Sequence, residues 1–212
     1  MSPNATQLSD GQDCLTGQLL VAMPSLGEGC FHKSVILICG HDDHHAMGLI
    51  VNKRVTDLTF SEIMAQLDFE VEDDDMPPFA EAVIDENVHY GGPVEPMRGL
   101  VLHTLDQTYE ETVNISGEVG LTATKEIVAD IARAKKAPKN ALLCMGHAGW
   151  EAGQLEDELV QNAWLTMPAD LNLIFTTPIQ KCWAAALASI GIDPSMLAAD
   201  TSNPRDPDAP LN

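Results

Sequence analysis

Ser34-Val-Ile-Leu-Ile-Cys39-Gly-His41-Asp-Asp-His-His45-Ala-Met-Gly-Leu-Ile-Val-Asn52 decides the fold. Its first six residues are almost wholly apolar and rich in β-branched side chains, the pattern of a strand covered on both faces. Gly40 to His45 supplies a polar turn, and Ala46 to Asn52 returns as a second strand. A hairpin is the simplest connection between the two.

Further strand signals lie on either side. Gln18 to Met23 is a strand ended by Pro24, with a loop from Pro24 to Gly29. Val88-His-Tyr90 is a strand entering the turn Gly91-Gly92-Pro93. Gly99 to His103, Glu111 to Ile115 and the buried run Ala141 to Met145 follow, and Ala163 to Met167 forms a short late strand.

Helices are placed by caps and periodicity. Thr59-Phe-Ser-Glu62 has the capping-box pattern ahead of a short helix to about Leu67. Thr124 caps a helix with Ile127, Val128 and Ile131 on its apolar face, stopping before Pro138. A third helix runs from about Ala152 to Val160. Thr177-Pro178-Ile-Gln180 combines a cap, a proline at the first helical position and a capping glutamine. Ile179, Cys182, Trp183, Ala186, Leu187 and Ile190 then keep helical spacing until Gly191 stops the helix.

Strands and helices mix without β-α-β alternation. This predicts an α+β domain, with helices packed on one mixed or largely antiparallel sheet. The expected organisation is a flexible segment at 1–14, one domain at 15–197 and a disordered acidic tail at 198–212. An acidic surface loop ending in Pro77-Pro78 is expected inside the domain.

With 212 residues the chain buries a sizeable core without disulfide or metal staples. Eleven Lys+Arg against 32 Asp+Glu give a net charge of -21. Such a surface repels nucleic acid and anionic lipid at long range, so tight direct DNA binding by the free protein is not expected. The five cysteines are odd in number, widely spaced and without a Cys-x-x-Cys, and Cys39, Cys144 and Cys182 lie in apolar runs. This pattern reads as a reducing cytoplasm. The N-terminus lacks the features of a signal peptide. The longest apolar run, Cys182 to Ala188, has seven residues, too short for a membrane span.

His41-Asp42-Asp43-His44-His45 invites a metal reading, but extended geometry opposes it. His44 and His45 would point to opposite faces. His41 and His45 would share a face about 13 Å apart, at roughly 3.3 Å per residue. An ordinary polar turn is the expectation, with no metal and no cofactor. His103 and His147, each after an apolar strand, are structural histidines in the first instance and general bases only beside an acid such as Glu158. Gly91-Gly92-Pro93 is a structural turn first and an anion cradle second. Phosphate-loop, dinucleotide and nucleophile-elbow motifs are missing.

In Gly146-His-Ala-Gly149-Trp150-Glu-Ala-Gly153-Gln154-Leu155-Glu-Asp-Glu158-Leu159, Gln154 and Glu158 share one helix face and Leu155 and Leu159 the adjacent one. A partly buried Glu158 needs a partner, with His41, His103, Asn52 or Lys53 as candidates. Trp150 and Trp164 read as packing anchors.

Taken in order, several blocks resemble the AlgH/YqgE family of small bacterial proteins. They are Gly17 to Pro24, Phe31 with Ser34-Val35, Cys39-x-His41, Ala46 to Lys53, Gly91-Gly92-Pro93-Val94, Gly99-x-x-Leu-His103-Thr104, Gly149-Trp150-x-x-Gly153-Gln154-Leu155-Glu156-x-Glu158-Leu159 and Asn162-Ala163-Trp164-Leu165. The resemblance covers roughly residues 15–197. His44-His45 departs from the small or polar turn residues usual there. The resemblance implies a bent or bifurcated sheet forming a partial barrel, and a cytoplasmic protein. It implies no established activity. Some members are named as transcriptional regulators linked to exopolysaccharide production, and the family is often encoded beside a Holliday-junction resolvase.

Two functional readings follow. The first is a non-enzymatic regulatory or adaptor protein that affects transcription indirectly, through a protein partner. The second is a small-ligand binder or unrecognised enzyme whose polar motif residues converge in one pocket. The candidate binding cluster is His41, Asn52, Gly92, His103, Trp150, Gln154 and Glu158, and no catalytic residue is assigned. Scatter of these residues over separate surfaces would remove the second reading. The oligomeric state is left open.

Overall fold

The hairpin forms as expected. β1 (Gln18–Ala22), β2 (Val35–His41) and β3 (His45–Ile50) pair antiparallel in sequence order. A computed structural model describes residues 14–59, 62–63, 88–133 and 136–199. β2 is covered on both faces because its alternate side chains enter two different cores. Val35, Leu37 and Cys39 join one cluster, while Ile36 and Ile38 join another. Burying a side chain of this size stabilises by roughly 1.5–3 kcal/mol, so β2 anchors both layers.

The remaining strands are β4 (Val88–Tyr90), β5 (Val94–Thr104), β6 (Val113–Asn114), β7 (Val119–Thr122), β8 (Ala141–Glu151) and β9 (Trp164–Pro168). They are ordered β6-β7-β5-β8-β3-β2-β1-β9, with β4 added beside β8. β8 is the spine. Its first half lies between β5 and parallel β4, and its second half pairs with β3. The sheet therefore divides along β8 and curls into a half-barrel, with helices packed on it in a single α+β domain.

The division occurs where two glycine segments cross. Gly146 has φ +70°, and a Cβ there would lie 2.4 Å from the Gly92 carbonyl oxygen. Gly92 has φ +152°, and its Cβ would lie 2.2 Å from the His147 carbonyl carbon. Gly91 donates its N–H to Met145 and accepts from Ile50. Gly91-Gly92 is thus a bare-backbone crossing, its Gly91 N–H already used within the sheet.

The α-helices named among the described residues are α1 (Lys125–Arg133), α2 (Gln154–Val160), α3 (Ile179–Ser189) and α4 (Pro194–Ala199). Ile127, Val128 and Ile131 of α1 cover Val101, Leu143 and Met145. Cys182, Ala186 and Leu187 of α3 cover the Leu19, Val21 and Leu37 face. α2 covers the opposite face through Leu155 and Leu159, as their spacing predicts. Gly191, φ +80°, ends α3 in a Schellman motif, with Ile192 N–H on the Leu187 carbonyl and Gly191 N–H on Ala188.

Some local expectations need correction. Thr177 does not cap α3; its N–H donates to the Asn172 carbonyl, closing a π-turn at Asn172–Thr176, its hydroxyl donates to the same oxygen, and Pro178 takes the cap position. Val119–Thr122, a short stretch interrupted by Gly120, is a further strand, paired with β5 and β6. Gly146 to Glu151 continues β8 rather than following it. The capping box does form: Glu62 N–H donates to Thr59 Oγ1 at 3.3 Å, and Thr59 N–H to Glu62 Oε2 at 2.8 Å. The helix beyond Ile63, the acidic loop before Pro77 and residues 1–13 lie outside the described residues. So does the tail from 200 onward, while 198 and 199 end α4. Among the described residues, no helix is long and apolar enough to cross a membrane.

Candidate functional site

A β-bulge builds the most particular feature of the molecule. The β2–β3 register slips between Ile38 and Gly40, so His41 pairs with Ala46. Ala46 in turn pairs with Trp150. Without the extra residue, His41 would follow Val35, Leu37 and Cys39 onto the α3 face. The bulge re-aims it onto the α2 face, in line with Trp150. His45 consequently lies on the opposite face from His41, against the shared face that an extended reading assigns.

His41 is held from both ring nitrogens. Nδ1 accepts the Leu15 N–H at 3.1 Å, which places the ring proton on Nε2, and Nε2 donates to Glu156 Oε1 at 2.7 Å. His44 lies in an exposed turn and His45, also exposed, opens β3; Asp42 organises both, its Oδ1 accepting both of their backbone N–H groups. Those two N–H bonds and the neighbouring imidazoles hold the Asp42 carboxyl below its usual range.

Beside His41, Glu158 closes an aromatic cage. Its Oε2 accepts the indole N–H of Trp150 at 2.9 Å and of Trp164 at 2.7 Å. Its Oε1 accepts from Gln154 Nε2 at 2.9 Å, and Gln154 Oε1 accepts the Glu151 N–H of β8. None of the four partners proposed from the sequence reaches Glu158; the buried indoles take that place. Phe31 stacks on Trp150 at 6.5 Å and meets Trp164 edge-on at 5.7 Å, and the two indoles meet edge-on at 6.1 Å. Each such pair adds about 0.5–1.5 kcal/mol beyond area burial.

The other candidates lie elsewhere. Asn52 is buried, with Oδ1 accepting Val35 N–H at 2.7 Å and Nδ2 donating to the Lys33 carbonyl at 2.9 Å. Gly92 is in the glycine crossing. His103 is fully buried at the end of a relay. Tyr109 N–H donates to Thr112 Oγ1, Thr112 to Thr122 Oγ1, Thr122 to His103 Nε2, and His103 Nδ1–H to the Thr104 carbonyl. The carbonyl can only accept, which sets the direction of every bond before it. Burial holds the His103 pKa below the free imidazole value.

Trp150, Gln154 and Glu158 therefore converge, with His41 alongside, while Asn52, Gly92 and His103 do not. None of the seven lines the cavity of about 600 Å³ at the end of β1. His147 Nδ1 is buried without a hydrogen-bond partner, 3.9 Å from Glu95 Oε2. The core cysteines are poor nucleophiles: burial pushes Cys39 up to about 12 and Cys182 to about 11. The sequence-derived candidate set omits Trp164, Phe31 and Glu156. A buried indole needs an acceptor, which is a signal for Trp164 beside Glu158. Glu156 lies 115 positions from His41, with no local signal for the pairing.

A curled antiparallel sheet with this motif helix defines an α+β half-barrel of the AlgH-like class. The chain belongs to the AlgH-like family, whose sequence model matches residues 19–195. A UPF0301 protein of Methylocella silvestris is 45% identical over 190 residues, covering 88% of this chain and 90% of its own. One of Chromobacterium violaceum is 36% identical over 189 residues, covering 89% and 97%. The solution structure of the AlgH protein from Pseudomonas aeruginosa superposes with a TM-score of 0.69 at 36% identity, covering 92% of this chain and 97% of that one. A Corynebacterium diphtheriae protein, at 21% identity and TM-score 0.65, shares the fold.

Proposed function

We propose that this protein is a regulatory or adaptor protein that acts through a protein partner, with any effect on transcription indirect. The supporting observation is the internal engagement of its polar motif residues. Glu158 accepts three N–H groups, and His41, Asn52 and His103 each spend both polar side-chain atoms on partners within the fold. A general acid or base must reach a substrate proton, and these groups already have partners. They act as locks that shape a surface rather than as reacting groups.

The net charge of -21 supports a protein partner over nucleic acid. A complementary partner surface would be basic. The cysteine pattern supports a reducing, cytoplasmic setting. The test is crosslinking in lysate from cells carrying the tagged chain, with mass spectrometry, beside a DNA-binding titration of the isolated protein. A stoichiometric partner recovered reproducibly, and retained after nuclease treatment, is expected. Recovery of no such partner, or tight and salt-dependent DNA binding by the isolated chain, would overturn the reading.

A further inference from the structure

The cavity at the end of β1 is built from parts that the lock around Glu158 does not use. Met23, Pro24, Trp183 of α3 and Pro194 of α4 line it, and His32 and Lys33 contribute its basic groups. At about 600 Å³ it lies within the roughly 300–1,000 Å³ of small-molecule sites.

Its chemistry is asymmetric. Trp183 is fixed by its indole N–H, which donates to the Ala22 carbonyl at 2.8 Å. Lys33 Nζ stands 5.4 Å from the centre of the Trp183 ring. Lys33 has φ +51°, a left-handed backbone uncommon outside glycine and asparagine. Asn52 clamps that backbone by donating to the Lys33 carbonyl. A strained, clamped residue thus sets an ammonium over an aromatic wall. Among the described residues no carboxylate stands within salt-bridge distance of that ammonium, although acidic residues far outnumber basic ones in the chain. His32 donates Nδ1–H to the Gly27 carbonyl, which leaves Nε2 as its second polar atom. Glu28 on the same rim disfavours a multiply charged anion.

We propose that this cavity binds a small organic monocarboxylate, its apolar body against Trp183, Met23 and Pro24 and its carboxylate paired with Lys33. The proposal goes beyond the adaptor reading, and neither depends on the other.

The test is a titration of isotope-labelled full-length protein with indole-3-acetate, followed by proton–nitrogen correlation spectra. Saturable shifts are expected in the amides from Met23 to Lys33 and in the Trp183 indole N–H. Indole-3-acetamide, which keeps the ring and loses the charge, should bind at least tenfold more weakly. Lys33→Gln should weaken indole-3-acetate by a similar factor while leaving the spectrum dispersed. Three outcomes would overturn the proposal: equal affinity for acid and amide, saturable shifts confined to other surfaces, or no saturation at millimolar indole-3-acetate, phenylpropionate and octanoate alike.

Discussion

Trp164 donates its indole N–H to Glu158 Oε2 at 2.7 Å, six residues back along the chain. The same oxygen accepts from Trp150 on β8. One carboxylate thus ties the motif helix to two strands, β8 and β9, that share no direct pairing in the sheet order.

Glu158→Ala should strand two indole N–H groups in surroundings where Trp150 and Trp164 are buried. The expected loss is about 2–6 kcal/mol, from roughly 1–3 kcal/mol for each of the two unsatisfied buried groups. Glu158→Gln keeps one carbonyl acceptor and should cost about half as much. Urea unfolding followed by tryptophan fluorescence measures both, and equal losses for Ala and Gln would contradict the lock.

Gly92→Ala should prevent stable folding or cost more than about 4 kcal/mol, because its Cβ would collide with backbone that cannot step aside. Gly27 also has positive φ, at +66°, but nothing lies within 4 Å of its Cβ position. Gly27→Ala should therefore cost only about 1–2 kcal/mol of left-handed strain. Thermal unfolding of the pair separates collision from strain, and comparable losses would refute the crossing.

His89 is buried, and burial lowers its pKa to about 4 from 6.5. Its Nδ1 is buried without a hydrogen-bond partner, so nothing there holds a proton on the ring. Between those two pH values the unfolded chain takes up a proton that the folded chain refuses. The associated stability is present above pH 6.5 and is lost as pH falls toward 4, by up to about 3 kcal/mol. His89→Phe should flatten that part of the acid limb in urea unfolding across pH. Curves of variant and parent that stay parallel there would refute it.

Thr122→Val should break the relay at its middle, removing both the donor to His103 Nε2 and the acceptor for Thr112. With His103 fully buried, the expected cost is about 1–3 kcal/mol. A change below half a kcal/mol in urea unfolding would mean the relay contributes little.

The hairpin was legible because Ser34 to Cys39 has no plausible exposed face, so one short apolar run dictates cover on both sides. Helix ends were legible where one residue supplies the chemistry, as with Thr59, Glu62 and Gly191. Thr177 misled because its N–H and its hydroxyl both donate back to the Asn172 carbonyl, which ties the residue to the preceding π-turn, a competition that local pattern does not weigh. Part of the candidate cluster was legible for the same local reason: Gln154 and Glu158 are one helical turn apart, and their bond follows from that spacing.

Sequence alone determined the α+β class, the positions of most elements, the acidic charge and the family resemblance, since each rests on residues near one another in the chain or on their sum. Tertiary structure alone decided which of the seven candidates meet. The bulge after Ile38 turned His41 toward Glu156, and the Gly92–Gly146 crossing divided the sheet. The fold also set Lys33 over Trp183, which lies 150 positions away. Such long-range pairings depend on register and on backbone approach, and a one-residue slip reverses a side chain's face, so no local pattern records them.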